Sequence, residues 1–190
     1  WQLGLFRNAQ KATSDSPEAN GDYSITGRIA ATVVQQDNTI LHLGFSNKYM
    51  KPQEDRTFGY SLRPETHIAD KYIKTNVADV DNINSMNFES SLVMGSFSIQ
   101  AEYLKTKVKA VPGDEDFSSF YTQVSYFLTG EKRAYKNSLV GFGRVKPNSN
   151  FGENGSGAFE LALRYSTADG MGSDKMNNIT FGLNWHLNPA

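Results

Sequence analysis

Several things are missing from this 190-residue chain, and each absence closes off a class of explanation. There is no cysteine, which excludes disulfides and thiolate metal sites while leaving oxidising and reducing compartments both open. Apolar runs are short, Leu161 to Leu163 and Val33 to Val34 being examples, whereas a helix crossing a bilayer needs about 20 consecutive apolar residues. A transmembrane helix is thereby excluded, but a β-barrel is not: its membrane strands need only about 9 to 11 residues and place polar groups at every second position. Neither charge sign dominates, with 19 basic and 20 acidic residues, so the broad positive field that draws nucleic acid is absent and no nucleic-acid partner is expected.

Enzyme signatures are missing too. There is no Gly-x-Ser-x-Gly elbow, no His-Glu-x-x-His and no phosphate-cradling loop followed by Lys-Ser or Lys-Thr. His42, His67 and His186 are far apart in the chain, and Asp114, Glu115 and Asp116 lack the spaced ligands of a calcium loop, so they read as solvated loop. The reading is of a non-enzyme with no cofactor and no metal. Trp1 opens directly on a strand-like pattern, so a secretory leader, if the protein carries one, is expected upstream or already removed.

What is present is alternation with a period of two, recurring about ten times. Ile179, Phe181, Leu183, Trp185 and Leu187 fall on one face of a strand, and Asn178, Thr180, Gly182, Asn184 and His186 on the other. The same holds for Phe159, Leu161, Leu163 and Tyr165 against Glu160, Ala162, Arg164 and Ser166. It holds again for Leu41, Leu43 and Phe45, for Phe58, Tyr60 and Leu62, and for Ile25, Gly27 and Ile29. Phe120, Thr122, Val124 and Tyr126 oppose Tyr121, Gln123, Ser125 and Phe127. A soluble sandwich or lipocalin-like ligand-binding barrel also alternates, but its strands average about 5 to 6 residues, and these run longer. Tyr103, Tyr165 and Trp185 fall towards strand ends, where an interfacial aromatic girdle would put them.

The connections carry a second argument. Asp37-Asn38, Gly95-Ser96 and Asn188-Pro189 read as tight turns. Longer polar loops are expected at Asn8 to Asn20, Asn47 to Arg56, Ala78 to Asp81, Lys109 to Asp116 and Ala168 to Lys175. Short and long connections tend to alternate, as short periplasmic turns and long external loops do along a barrel. Counting strands puts the three tight turns at one end. It puts the long segment from Gly130 to Gly157 at that end as well, which breaks the short-turn rule.

Several stretches resemble the phosphate-selective porin O and P family. They include Tyr126-Phe127-Leu128-Thr129-Gly130-Glu131, Gly143-Arg144-Val145-Lys146-Pro147 and the run from Gly157 to Ser166. The run from Asn178 to Pro189, with Leu41-His42-Leu43-Gly44, Arg63-Pro64-Glu65 and Glu102-Tyr103 upstream, completes the match in order. The resemblance implies a sixteen-stranded, trimeric outer-membrane channel for small anions, with phosphate as the named solute. The expected fold is therefore all-β: an antiparallel up-and-down transmembrane β-barrel wall of about ten strands, belonging to a larger barrel. Residues 1–190 are expected to form one porin domain, a fragment lacking strands at both ends, set in outer-membrane lipid as a homotrimer. The alternatives are a surface-exposed structural or adhesion barrel and a soluble ligand-binding barrel.

If the apolar parity meets lipid, the other lines the pore, since a basic side chain facing lipid at the midplane costs about 2 to 4 kcal/mol. That polar parity carries Arg28, Arg63, Arg164 and Lys48, the candidates for drawing anions, and the carboxylates Glu89, Glu102 and Glu160. A plainer reading pairs the arginines with those glutamates on neighbouring strands, bracing the wall at about 0.2 to 1 kcal/mol per pair. Lys105, Lys107 and Lys109 share a strand face near an external loop, as anion attractors at the pore mouth or as a solvated strand end.

Overall fold

Alternating strands satisfy their backbone by pairing edge to edge, and the pairing register decides whether each apolar set stays on one side. The computed structural model describes residues 1–8, 22–52, 57–66, 68–137, 141–152, 154–170, 172 and 174–189. Strands β1 (Gln2–Asn8), β2 (Asp22–Gln35) and β3 (Thr39–Lys51) are followed by two short ones, β4 (Phe58–Leu62) and β5 (Ile73–Val77). Long strands resume with β6 (Val80–Met94), β7 (Phe97–Ala110) and β8 (Glu115–Phe127). The two-residue β9 (Tyr135–Lys136) and β10 (Gly141–Phe142) precede β11 (Ala158–Asp169) and β12 (Lys175–His186).

Eight strands form one sheet in the order β1-β2-β3-β6-β7-β8-β11-β12, antiparallel throughout. The all-β up-and-down wall expected from the alternation is what forms. The sheet is not closed: β1 and β12 are its edges and do not pair with each other among the described residues. Its register keeps one parity on one face from end to end. Ile179, Phe181, Leu183 and Trp185 stand 78%, 70%, 61% and 50% exposed on the apolar face, continuous with Leu43, Phe88, Ile29 and Leu5. No enclosed apolar core takes them in, as a sandwich would require.

The turn count also holds. The bends at Gln36–Asn38 and Gly95–Ser96 lie together, with Gly95 N–H donating to the Asn38 carbonyl at 2.8 Å and Phe127 N–H to Ser96 at 3.0 Å. The segment from Leu128 to Gly157 joins β8 to β11 at this same end, and Phe151 N–H donates to the Leu187 carbonyl at 2.9 Å. Gly157 enters β11 at φ 72°, with the space for a Cβ already taken by the His186 carbonyl 2.5 Å away, so only glycine fits there.

Two expectations are corrected. Phe58–Leu62 was expected in the wall by its alternation, but among the described residues β4 pairs with β5 alone, and β3 pairs directly with β6. The polar loop expected from Ala78 to Asp81 is a two-residue turn, Asp79 taking φ 51°, that joins the hairpin to β6. The reason lies in the polar parity itself, which turns apolar at the end far from the tight turns. There Met50, Ile83, Val108, Phe117, Ala168 and Met176 occupy it, and the β4–β5 hairpin covers them. Val108 and Phe117 are 0% and 1% exposed, and the Tyr60 and Phe58 rings lie 4.5 and 5.9 Å from the Phe117 ring. Each such side chain contributes about 1.5 to 3 kcal/mol when fully buried, enough to fold a short hairpin that would be marginal alone. The loop expected at Asn8 to Asn20, residues 53–56 and His67 lie essentially outside the described residues.

Candidate functional site

Antiparallel register sets directly opposed residues on the same side of a sheet. The ladders therefore place Arg28, Lys48, Glu89, Glu102, Glu160 and Arg164 on one face, opposite the exposed apolar one. His42, Gln100, Tyr121 and His186 share it. The predicted polar parity holds for every candidate except Arg63. That residue follows β4 in the hairpin rather than standing on a wall strand, and it is exposed beside the wall.

Near β3 the wall is braced by charge. Glu89 and Glu102 oppose each other on β6 and β7, a like-charge pairing that would destabilise the sheet unless each carboxylate found other company. Glu89 reaches back across β3 to the Arg28 guanidinium, and to His42 Nε2 at 3.1 Å. Gly44 makes this possible: it opposes Glu89, and a Cβ there would fall 2.2 Å from the Glu89 Oε1. His42 is 5% exposed and holds the Tyr135 hydroxyl 2.8 Å from its Nδ1. In the neutral ring, Nε2–H donates to Glu89 and Nδ1 accepts from Tyr135.

Glu102 is satisfied differently. The Tyr121 hydroxyl donates to it at 2.6 Å and accepts from Gln100 Nε2 at 2.9 Å. The Arg164 guanidinium lies 3.8 Å over the Tyr121 ring, and its Nε donates to Glu65 Oε1 of the hairpin at 3.0 Å. A cleft of about 610 Å³ opens between the hairpin tip and the wall, lined by Arg63, Glu65, Glu102, Tyr121 and Arg164 among others. Glu160 accepts from His186 Nε2 and Asn184 Nδ2, both at 3.1 Å. Lys48 is exposed on this face and makes no ion pair among the described residues.

The two arginines on wall strands thus find their carboxylates in different places. Arg28 is paired with the wall carboxylate Glu89, whereas Arg164 takes its carboxylate from the hairpin and lines the cleft.

The long segment at the tight-turn end folds back onto the polar face. Arg133 Nη1 donates to Gln100 Oε1 at 2.5 Å and its guanidinium lies 4.4 Å over the Phe142 ring, two partners that carry no charge. Lys132 donates to the Asp37 carbonyl, and Tyr135 meets His42. Glu131, 3% exposed, anchors the fold-back: it accepts the Asn148 N–H at 2.9 Å and the Thr129 hydroxyl. Burial pushes the Glu131 carboxyl up, but these hydrogen bonds outweigh it and hold the group below the usual carboxylate range. Glu65, Tyr121, Gln100 and Arg133 escaped the sequence reading. Tyr121 and Gln100 could have been found, because they carry the polar parity of their strands.

Lys105, Lys107 and Lys109 do share one strand face at the far end of β7; they follow the parity of Ile99 and Tyr103, so that face is the exposed apolar one, opposite Glu89, Glu102 and Arg164. Among the described residues no group of three histidine, cysteine or carboxylate side chains is placed to hold a metal ion.

Comparison with known proteins adds an independent measure. The model of the phosphate-selective porin O and P family matches residues 1–190. An uncharacterized protein of Caulobacter vibrioides is 32% identical over 178 residues, covering 88% of this chain and 36% of that protein. Porin O of Pseudomonas aeruginosa is 27% identical over 224 residues, covering 97% of this chain and 50% of that one. The chain spans half or less of the length of these relatives.

Proposed function

The chain belongs to the phosphate-selective porin O and P family, bacterial outer-membrane proteins, and on that premise we propose that its sheet is part of the wall of an anion-conducting pore. The observation that carries this reading is the sorting of the eight-stranded sheet. Large apolar side chains are exposed along one face, which turns basic only at the hairpin end, and Arg28, Glu89, Glu102, Glu160 and Arg164 with their hydrogen-bonding partners are gathered on the other. An open sheet edge within lipid would leave backbone groups unpaired at several kcal/mol each, so in the whole protein further strands close the barrel. The polar face then meets water, the hairpin and the fold-back narrow the lumen from its two ends, and Arg63, Arg164, Lys48 and Arg133 supply positive charge along the solute's path.

Phosphate suits such a path because guanidinium groups grip its oxygens in bidentate fashion and hydroxyls such as that of Tyr121 add hydrogen bonds. Residues 1–190 form one such domain of a longer homotrimeric protein in outer-membrane lipid. The test is the full-length protein in a planar bilayer. Discrete conductance steps and a reversal potential of anion-selective sign in a salt gradient are expected, with phosphate reducing chloride current. Detergent-extracted protein that inserts without conducting would make the barrel a scaffold, and a cation-selective sign would remove the anion assignment.

A further inference from the structure

The outer face changes character along the strands. Tyr23, Tyr49, Tyr103 and Tyr165 stand on it, each 39% exposed or more, and they step along the ladder from β2 to β11 as tilted strands in a flat membrane require. On the tight-turn side of this line the face carries Ile29, Leu43, Phe88, Leu163 and Phe181. Beyond it, towards the end that bears the hairpin, the same parity turns basic: Lys105, Lys107 and Lys109 on β7, Lys51 on β3, and Arg7 on β1.

The register shows how these cations sit. Arg7, Tyr23 and Lys51 oppose one another across β1, β2 and β3, with the Arg7 guanidinium 5.5 Å over the Tyr23 ring. Tyr49 opposes Asn84, and Asn84 opposes Lys107; Asn82 opposes Lys109. With strands about 4.8 Å apart, Lys107 lies about 10 Å from Tyr49, and Lys51 lies two residues beyond Tyr49. Lys51, Lys107 and Lys109 therefore surround Asn82 and Asn84 within reach of their flexible side chains. Of the described acids on these strands, Asp116, which opposes Lys107, pairs with Lys105 at 3.0 Å, and Asp81 accepts from Asn82 at 2.8 Å. Lys51, Lys107 and Lys109 are exposed and make no ion pair among the described residues.

Lysines facing outward from a membrane wall, just past its aromatic girdle, stand at headgroup depth. They have no access to a solute on the opposite face. We propose that this patch docks the phosphorylated headgroup of an outer-leaflet glycolipid, a phosphosugar bearing acyl chains, with Lys51, Lys107 and Lys109 on the phosphates and the acyl chains over Tyr49, Tyr103 and Phe88. The occupant follows from charge complementarity and from position: headgroup phosphate above, hydrocarbon below. The inference rests on the outer-membrane wall reading and is independent of ion selectivity.

The experiment uses the full-length protein and the triple variant Lys51→Gln, Lys107→Gln, Lys109→Gln. Each is titrated with diphosphorylated lipid A, with the same lipid lacking its phosphates, and with inorganic phosphate, while conductance is recorded in bilayers. At about 1 kcal/mol per lysine near a charged surface, lipid A binding should weaken roughly a hundredfold at low salt. Binding of the dephosphorylated lipid should not change, and neither should the reversal potential, which also reports that the variant folds. Equal lipid A binding by both proteins would overturn the proposal. So would a shifted reversal potential with lipid binding intact, which would return the lysines to the pore mouth. A protein that binds lipid A through these lysines but does not conduct would sink the channel reading and leave this one standing.

Discussion

The Glu89 carboxylate lies across the backbone of Gly44 to reach Arg28, so a residue without a side chain on β3 decides whether charges on β2 and β6 meet. Gly44→Ala changes no charge, yet its Cβ would stand 2.2 Å from Glu89 Oε1, and the flexible glutamate is what must move. The expected result is loss of the Arg28–Glu89 pair with the barrel intact. Stability should fall by about 1 kcal/mol or less, since both partners are partly exposed. Chloride current should become more sensitive to added phosphate as the Glu89 carboxylate no longer offsets the Arg28 charge. An unchanged phosphate sensitivity would mean that Arg28 does not face the solute path.

Phe117 holds the hairpin. At 1% exposure beneath Tyr60 and Phe58 it is the largest side chain in the apolar patch of the polar face. Phe117→Ala should cost about 3 to 5 kcal/mol locally. Because the wall's ladders do not depend on this contact, the loss should appear as protease cleavage within the hairpin and a larger conductance. A drop in barrel melting temperature with the hairpin still protected would show that Phe117 serves the wall instead.

The wall was legible in the sequence because a strand's side-chain period is two and one parity is apolar over most of the length of each long strand. Ile179 to Trp185 announce their face without help from any other strand. The hairpin was misread for the same reason: Phe58, Tyr60 and Leu62 alternate as a wall strand does, and pattern alone cannot say whether the apolar side meets lipid or a neighbouring sheet. The clue was distributed over six other strands, in Met50, Ile83, Val108, Phe117, Ala168 and Met176 occupying the polar parity at one end. The site was half legible. Parity placed Arg28, Lys48 and Arg164, but the Arg164–Glu65 and Arg133–Gln100 contacts join residues 99 and 33 positions apart, and only the fold brings them together.

Glu131 gives the fold-back a pH dependence. Its folded pKa lies below the ordinary 4.5, so its contribution is complete above that value and is lost as the pH falls through the lower folded value. Protection of the Asn148 amide against hydrogen exchange, taken relative to its intrinsic rate at each pH, should hold at neutral and mildly acidic pH and be lost only below the ordinary carboxylate value of 4.5. In Glu131→Gln the protection should be lower at pH 7 and independent of pH across the same range. Acid-induced exchange that persists in the glutamine variant would assign the transition to another group.

The Arg164–Glu65 pair does two things, carrying charge beside the cleft and tying the hairpin to the wall, and paired substitutions separate them. Arg164→Gln removes a cation and Glu65→Gln removes an anion, so the reversal potential should move towards cations in the first and towards anions in the second. Only charges within about 8 Å of the solute path act strongly in physiological salt. The double variant restores the charge balance and should return the potential close to that of the parent. The charge-assisted tie, however, is absent from all three, so each should show a rise in open-channel current noise as the hairpin tip loosens. Folding stability should change by less than about 1 kcal/mol, because the two side chains are 30% and 31% exposed and screened by water. Single variants that shift the potential without raising the noise would keep the charge role and discard the tie. Noise rising in all three with the potential fixed would make this pair a brace on the hairpin and move anion selectivity to Arg63, Lys48 and Arg133.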